Sequence, residues 1–228
     1  MAQEFRQVNF TPPAGSTQIV LVRHGESAPH VAGASFGLVD GHGDPPLSEL
    51  GRWQADRVGE RLGGEPISAI YVSTLQRTHQ TAAPLSNQLH LDPIVIPDLR
   101  EVFLGEWEGG LYRQRMAEGH PAALAMRREE RWDAIPGAES NEALTTRTVG
   151  AINQITKQHP DEMVAVVVHG GVIGALLAYA SKSRPFAFLG ADNGSIHHLV
   201  ISKDFWAVRR FNDTGHLGGL TARSAPPT

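Results

Sequence analysis

Apolar residues in this chain come in short unbroken runs that alternate with stretches in which they recur every three or four positions. The run IVLV, which ends on Arg23 and His24, predicts a strand over 18–22 that is buried on both faces. ISAIYV at 67–72 and MVAVVV at 163–168 predict two more strands, and IVI at 94–96 a short one. Between them, Leu50, Trp53, Val58 and Leu62 share one helical face, with Ser48 placed to cap the helix. Leu75, Ala82, Leu85 and Leu89 mark a second helix. Residues 111–132 read as one Arg-rich helical stretch, broken at Gly137, and a helix restarts near Ser140 with Leu144, Thr148, Ile152 and Ile155 inward. GVIGALLAYA is apolar all round and predicts a buried helix. SIHHLVIS and WAVRRF pattern as a hairpin at a sheet edge, with His197 and His198 on opposite faces of an edge strand.

Strands alternating with helices predict an α/β fold, a mostly parallel sheet with helices on both faces. Residues 1–17 read as an N-terminal arm, 216–228 as a C-terminal tail, and 18–215 as one domain. In such sheets ligands sit beyond the carboxyl ends of the strands, so the residues that follow each strand carry the functional signal.

Those residues form a coherent set. The first strand is followed by Arg23, His24, Gly25 and Glu26, and the second by STLQRT, which puts Arg77 in the first turn of a helix. The third gives His169, Gly170 and Gly171 at another helix start. Two arginines, two histidines and helix N-termini at one sheet edge suit a tetrahedral oxyanion, because a guanidinium donates two parallel hydrogen bonds to adjacent phosphate oxygens. Any one of these residues alone reads as a solvated loop side chain; four of them after separate strands do not. A neutral imidazole can also take up a phosphoryl group, provided cations hold the other oxygens and an acid protonates the leaving group. LREVFLGEWEGG offers Glu101, Glu106 and Glu108 as that acid.

Five stretches, LVRHGES, DPPLSELGRWQA, STLQRTHQTA, LREVFLGEWEG and VVVHGGVI, together resemble the histidine phosphatase superfamily, in the branch of cofactor-dependent phosphoglycerate mutases and broad-specificity phosphatases. The resemblance implies a three-layer sandwich with a small helical cap, roughly 104–140, over the site. It implies that His24 is phosphorylated, that Arg23, Arg77 and His169 bind the phosphoryl group, and that Glu101 is the acid. Gly25, Ser27, His30, Ser35, Phe36 and Gly170 are candidate substrate-binding residues, His30 standing where the family commonly has Asn. Neither metal nor cofactor is expected. Within the family, Arg127 and Arg128 could serve a mutase, against the plainer reading that they form the solvated face of a helix with Glu129 and Glu130. The short interval from them to His169, and WDAIPGAES within it, resemble the phosphatases instead.

Composition narrows the partners. A formal net charge of -4 argues against nucleic acid or an anionic membrane as an obligate partner, which leaves a small phosphorylated metabolite. There is no cysteine, which removes thiolate chemistry and disulfides. The N-terminus shows no signal peptide and no apolar run is long enough to span a membrane, so a cytoplasmic protein is expected. The edge hairpin is one surface on which copies could pair as a homo-oligomer. GASFG at 33–37 matches a serine-esterase elbow but lacks the strand and helix that an elbow joins. No H-E-x-x-H zinc motif occurs, the HGG turn lacks the first glycine of a dinucleotide loop, and a non-catalytic binding module would have no use for both His24 and the acid.

Overall fold

The computed structural model describes residues 4–218. The chain runs β1 (Thr17–Arg23), β2 (Leu38–Val39), β3 (His42–Gly43), α1 (Glu49–Leu62), β4 (Ile67–Val72), α2 (Gln76–Leu89) and β5 (Ile94–Val95). It continues through α3 (Leu111–Ala117), α4 (Pro121–Glu129), α5 (Asn141–Gln158), β6 (Met163–Val168), α6 (Gly170–Ser181), β7 (Ile196–Ile201) and β8 (Trp206–Asp213). Six strands form one sheet in the order β5-β4-β6-β1-β7-β8, and β2 with β3 makes a separate small ribbon.

Side-chain alternation along β1 explains the three layers. Ile19 and Leu21 enter an apolar cluster with α5 and α6, while Val20 and Val22 enter another with α1 and α2. A strand apolar on both faces has a stable place only between two helical layers, and β6 repeats the pattern. The parallel part comprises β5, β4, β6 and β1; β7 runs antiparallel to β1 and β8 antiparallel to β7. The hairpin expected from SIHHLVIS and WAVRRF is present, but β8 forms the edge and β7 lies inside the sheet, which is why His197 is fully buried.

The capping signals behave as their chemistry requires. Ser48 Oγ accepts the Gly51 N–H at 3.0 Å, and Ser140 Oγ accepts the Ala143 N–H at 3.1 Å. The single helix expected over 111–132 is instead two, with a separate short turn at Trp132–Ala134. Pro121 cannot donate a backbone hydrogen bond inside a helix; it sits at the first position of α4, after Gly119 has turned the chain at a φ of +66°.

Both expected ends of the domain also shift. Ser16 and Thr17 are buried, and Thr17 Oγ1 donates to the His159 carbonyl oxygen at 2.8 Å, so the sheet begins one residue inside the expected arm. At the other end Leu217 is buried in a short turn over Gly215–Leu217, so the expected tail boundary falls within packed chain; residues 219–228 of that tail lie outside the described residues. No helix among the described residues is long and apolar enough to cross a membrane.

Candidate active site

Parallel register brings the strand ends level. Arg23 pairs with Val168 and Val72 with Val167, so His24, Ser73 and His169 leave the sheet along one edge. The His24 and His169 rings meet edge to face, with centroids 5.1 Å apart. The Gly25 carbonyl oxygen lies 2.7 Å from His24 Nδ1, and a carbonyl can only accept, so Nδ1 carries the ring proton. That leaves the lone pair on Nε2, where the Arg77 Nε–H donates at 3.2 Å. Burial, reinforced by Arg77 and Arg23, holds His24 well below the usual imidazole range, so the ring is neutral.

Each cation is fixed by backbone. Arg77 Nη1 donates to the Gly43 carbonyl oxygen at 2.9 Å and stands 3.8 Å from Asp44, which ties the β2–β3 ribbon to α2. Arg23 donates from Nη1 to the Ala191 carbonyl oxygen, while its buried Nε has no hydrogen-bond partner among the described residues. His169 is fully buried and held well below the usual imidazole range, by burial first and by Arg77 next. Its Nε2 lies 2.9 Å from Ser73 Oγ, and its Nδ1 is a second buried polar atom without a partner among the described residues. Unpartnered buried polar atoms are costly, and two of them at one site mark a place prepared for a polar ligand.

Of the three carboxylates that the sequence offers, the structure separates one. Glu106 is exposed. Glu108 uses both oxygens to organise loops, accepting the Leu104 N–H at 2.9 Å and the Gly43 N–H at 2.7 Å. Glu101 lines the pocket and accepts the Gly171 N–H at 3.0 Å on Oε1, while Oε2 takes only the longer arm of that bond at 3.3 Å. Gly171 permits this approach, since a Cβ there would stand 2.5 Å from Glu101 Oε1.

Beyond these groups lies a cavity of about 410 Å³, walled on the far side by the segment 104–132. Trp107, Tyr112, Met126 and Trp132 give it an apolar lining, with Arg113 and Arg127 as further cations. Burial, with Glu101 next, pushes the Tyr112 phenol up to about 12, so it enters the pocket protonated. Arg113 donates to Ser27 Oγ at 2.6 Å and to the Ala28 carbonyl oxygen at 2.8 Å, and lies over the Phe36 ring.

Phe36 and Gly170 line the cavity, but the other candidate binding residues do not. The Gly25 N–H is spent on Thr81 Oγ1 at 3.0 Å, and the glycine serves packing, because a Cβ would come 2.3 Å from the Gly51 carbonyl oxygen. Ser27 Oγ accepts from Arg113 and does not itself line the cavity. Ser35 is exposed, its hydroxyl turned to the Phe36 carbonyl oxygen at 3.2 Å. His30 does not line the cavity and packs behind Phe36 and Gly110, which do. Ser73 and Tyr112 were not singled out by the sequence, although Ser73 is the first residue after a buried strand, where a strand-end rule could have found it.

A family model described as the histidine phosphatase superfamily (branch 1) matches residues 19–214. The metal-independent phosphoserine phosphatase of Arabidopsis thaliana is 34% identical over 209 residues, covering 90% of this chain and 84% of that protein. The glucosyl-3-phosphoglycerate phosphatase of Mycobacterium tuberculosis (strain H37Rv) is 34% identical over 173 residues, covering 72% and 75%. The solved structure of a mycobacterial glucosyl-3-phosphoglycerate phosphatase in complex with VO3 superposes with a TM-score of 0.75 at 31% identity, covering 86% of this chain and 99% of that one.

Proposed function

The chain belongs to the histidine phosphatase superfamily, branch 1, and from that premise we propose that it hydrolyses phosphate monoesters of small metabolites through a phosphohistidine on His24. The observation that carries this reading is the state of His24: neutral, with Nδ1–H committed to the Gly25 carbonyl and the Nε2 lone pair facing the Arg77 guanidinium, with Arg23 also near enough to oppose protonation. An incoming phosphate exchanges the Arg77–Nε2 hydrogen bond for bonds from Arg77 to its own oxygens, which uncovers the nucleophile. Arg23 Nε and His169 Nδ1, the two unpartnered groups, complete the set around the transferred oxygens.

The chemistry then balances in two displacements. His24 Nε2 bonds to phosphorus as the ester P–O bond breaks, and the leaving oxygen takes a proton from Glu101. The Nδ1–H bond to Gly25 supports the positive charge that the ring acquires. Glu101 next removes a proton from water, whose oxygen bonds to phosphorus as the P–N bond breaks, releasing inorganic phosphate and neutral His24. Arg127 at the rim of the apolar cavity favours substrates that carry an acidic group beside the ester. The identity of two relatives as phosphatases acting on phosphoserine and on a glucosylated phosphoglycerate supports this range.

A turnover screen across phosphorylated sugars, glycolytic acids, nucleotides and phosphoamino acids tests the reading. Phosphate release should persist in excess chelator and stop with vanadate, and 3-phosphoglycerate should yield no appreciable 2-phosphoglycerate even with a bisphosphorylated primer. Isomerisation outpacing hydrolysis, or activity abolished by chelator, would sink it.

A further inference from the structure

His169 is neutral, so it carries one ring proton, and the hydrogen-bond chain behind it decides which nitrogen holds that proton. Ser73 is fully buried at the end of β4. Its Oγ accepts the Leu75 N–H at 3.2 Å and has two neighbours that could receive its hydrogen, His169 Nε2 at 2.9 Å and Thr78 Oγ1 at 3.2 Å. Thr78 spends its own hydrogen on the Leu75 carbonyl oxygen at 2.8 Å, so it can accept but does not compete as a donor. Two arrangements satisfy Ser73. In one, Ser73 donates to Nε2 and the ring proton sits on Nδ1; in the other, Nε2–H donates to Ser73, which donates to Thr78.

The far side of the ring separates them. Nδ1 is buried, has no partner among the described residues, and belongs to a ring in edge contact with His24. With the proton on Nε2, Nδ1 would present a lone pair to the anionic oxygens of the phosphoryl group. With the proton on Nδ1, the chain runs Leu75 N–H to Ser73, Ser73 O–H to Nε2, and Nδ1–H to the anion, each donor meeting an acceptor.

We propose that Ser73 is a positioning residue that fixes His169 as the Nδ1–H tautomer and so makes it a donor to the transferred phosphoryl group. Its catalytic consequence rests on the phosphohistidine reading, but the tautomer itself does not.

Nitrogen NMR of the full chain labelled with ¹⁵N at histidine reads the tautomer directly, free and with vanadate. His169 should show a protonated Nδ1 and a pyridine-type Nε2, and Ser73→Ala should shift it toward Nε2–H. In that variant kcat should fall by about one to two orders of magnitude, less than the two to three that loss of a whole oxyanion donor costs, with KM little changed. His169→Asn, whose amide nitrogen can stand at the Nδ1 position, should keep more activity than His169→Gln, whose amide stands nearer Nε2. In the Asn background, Ser73→Ala should add no further loss. A wild-type Nε2–H, an unchanged tautomer in Ser73→Ala, or full Ser73→Ala activity would each overturn the assignment. Nδ1–H in a protein that hydrolyses no phosphate ester would instead overturn the proposed function and leave the tautomer standing.

Discussion

An imidazole in water divides its time between charged and neutral forms near neutral pH; His24 does not, because desolvation and two guanidinium groups oppose its protonation. A base whose folded pKa is depressed stays available until the pH falls through that lowered value, not through the ordinary one. The kcat/KM for a good substrate should therefore hold level below pH 6.5, the usual histidine value, when followed by phosphate release across acidic buffers. A fall by half at pH 6.5, tracking one protonation, would contradict a neutral His24. Arg23, His24, Arg77 and His169 were legible in the sequence because each stands just after a buried strand or in the turn it enters. Ser73, although first after β4, and Tyr112 were not singled out, since a hydroxyl gains meaning only from what faces it, and the His169 ring that faces Ser73 is 96 residues away. His30 was read by position along the chain, and the fold sets it behind Phe36 and Gly110, outside the cavity lining.

Helix α6 serves the site with its first turn and the core with the rest. Its N-terminus receives Glu101 through the Gly171 N–H, while Val172, Ile173, Leu176 and Leu177 are buried against the sheet. These two duties make opposite demands at Gly171, where alanine suits a helix better by about 0.5–1 kcal/mol but its Cβ would displace Glu101. Gly171→Ala should thus unfold within about 1 kcal/mol of wild type in urea while kcat drops by about tenfold or more, as expected when a proton-transfer group leaves its position. Equal loss of stability and activity would refute that division. Apolar periodicity made α1, α2 and α5 legible, since their faces meet the sheet, and an all-apolar run made α6 so. It joined α3 to α4, because the Arg-rich surface of 111–132 carries no periodic signal strong enough to mark the break that Gly119 and Pro121 impose.

The layered α/β architecture was legible from β1 and β6 alone, since strands apolar on both faces require helices on both sides. The wall over the site was expected only from the family resemblance, as a cap over roughly 104–140, because its residues pack against one another across turns rather than along one periodic helix. Two of the depressions among the described residues lie at opposite ends of the sheet. The larger, about 1320 Å³, is bordered by Thr17 at the start of β1 and holds all three lysines of the chain but neither histidine nor arginine. The smaller is lined by Arg23, His24 and Arg77, so the proposed phosphoryl chemistry falls at the carboxyl ends of the strands and size does not identify the site. The most direct test of a covalent His24 is to quench turnover of a radiolabelled phosphate ester within a single cycle and map the label by peptide digestion. The label should sit on His24, survive alkali, disappear in acid, and be absent from His24→Ala together with turnover. Label on any other residue, or full turnover in His24→Ala, would contradict the mechanism.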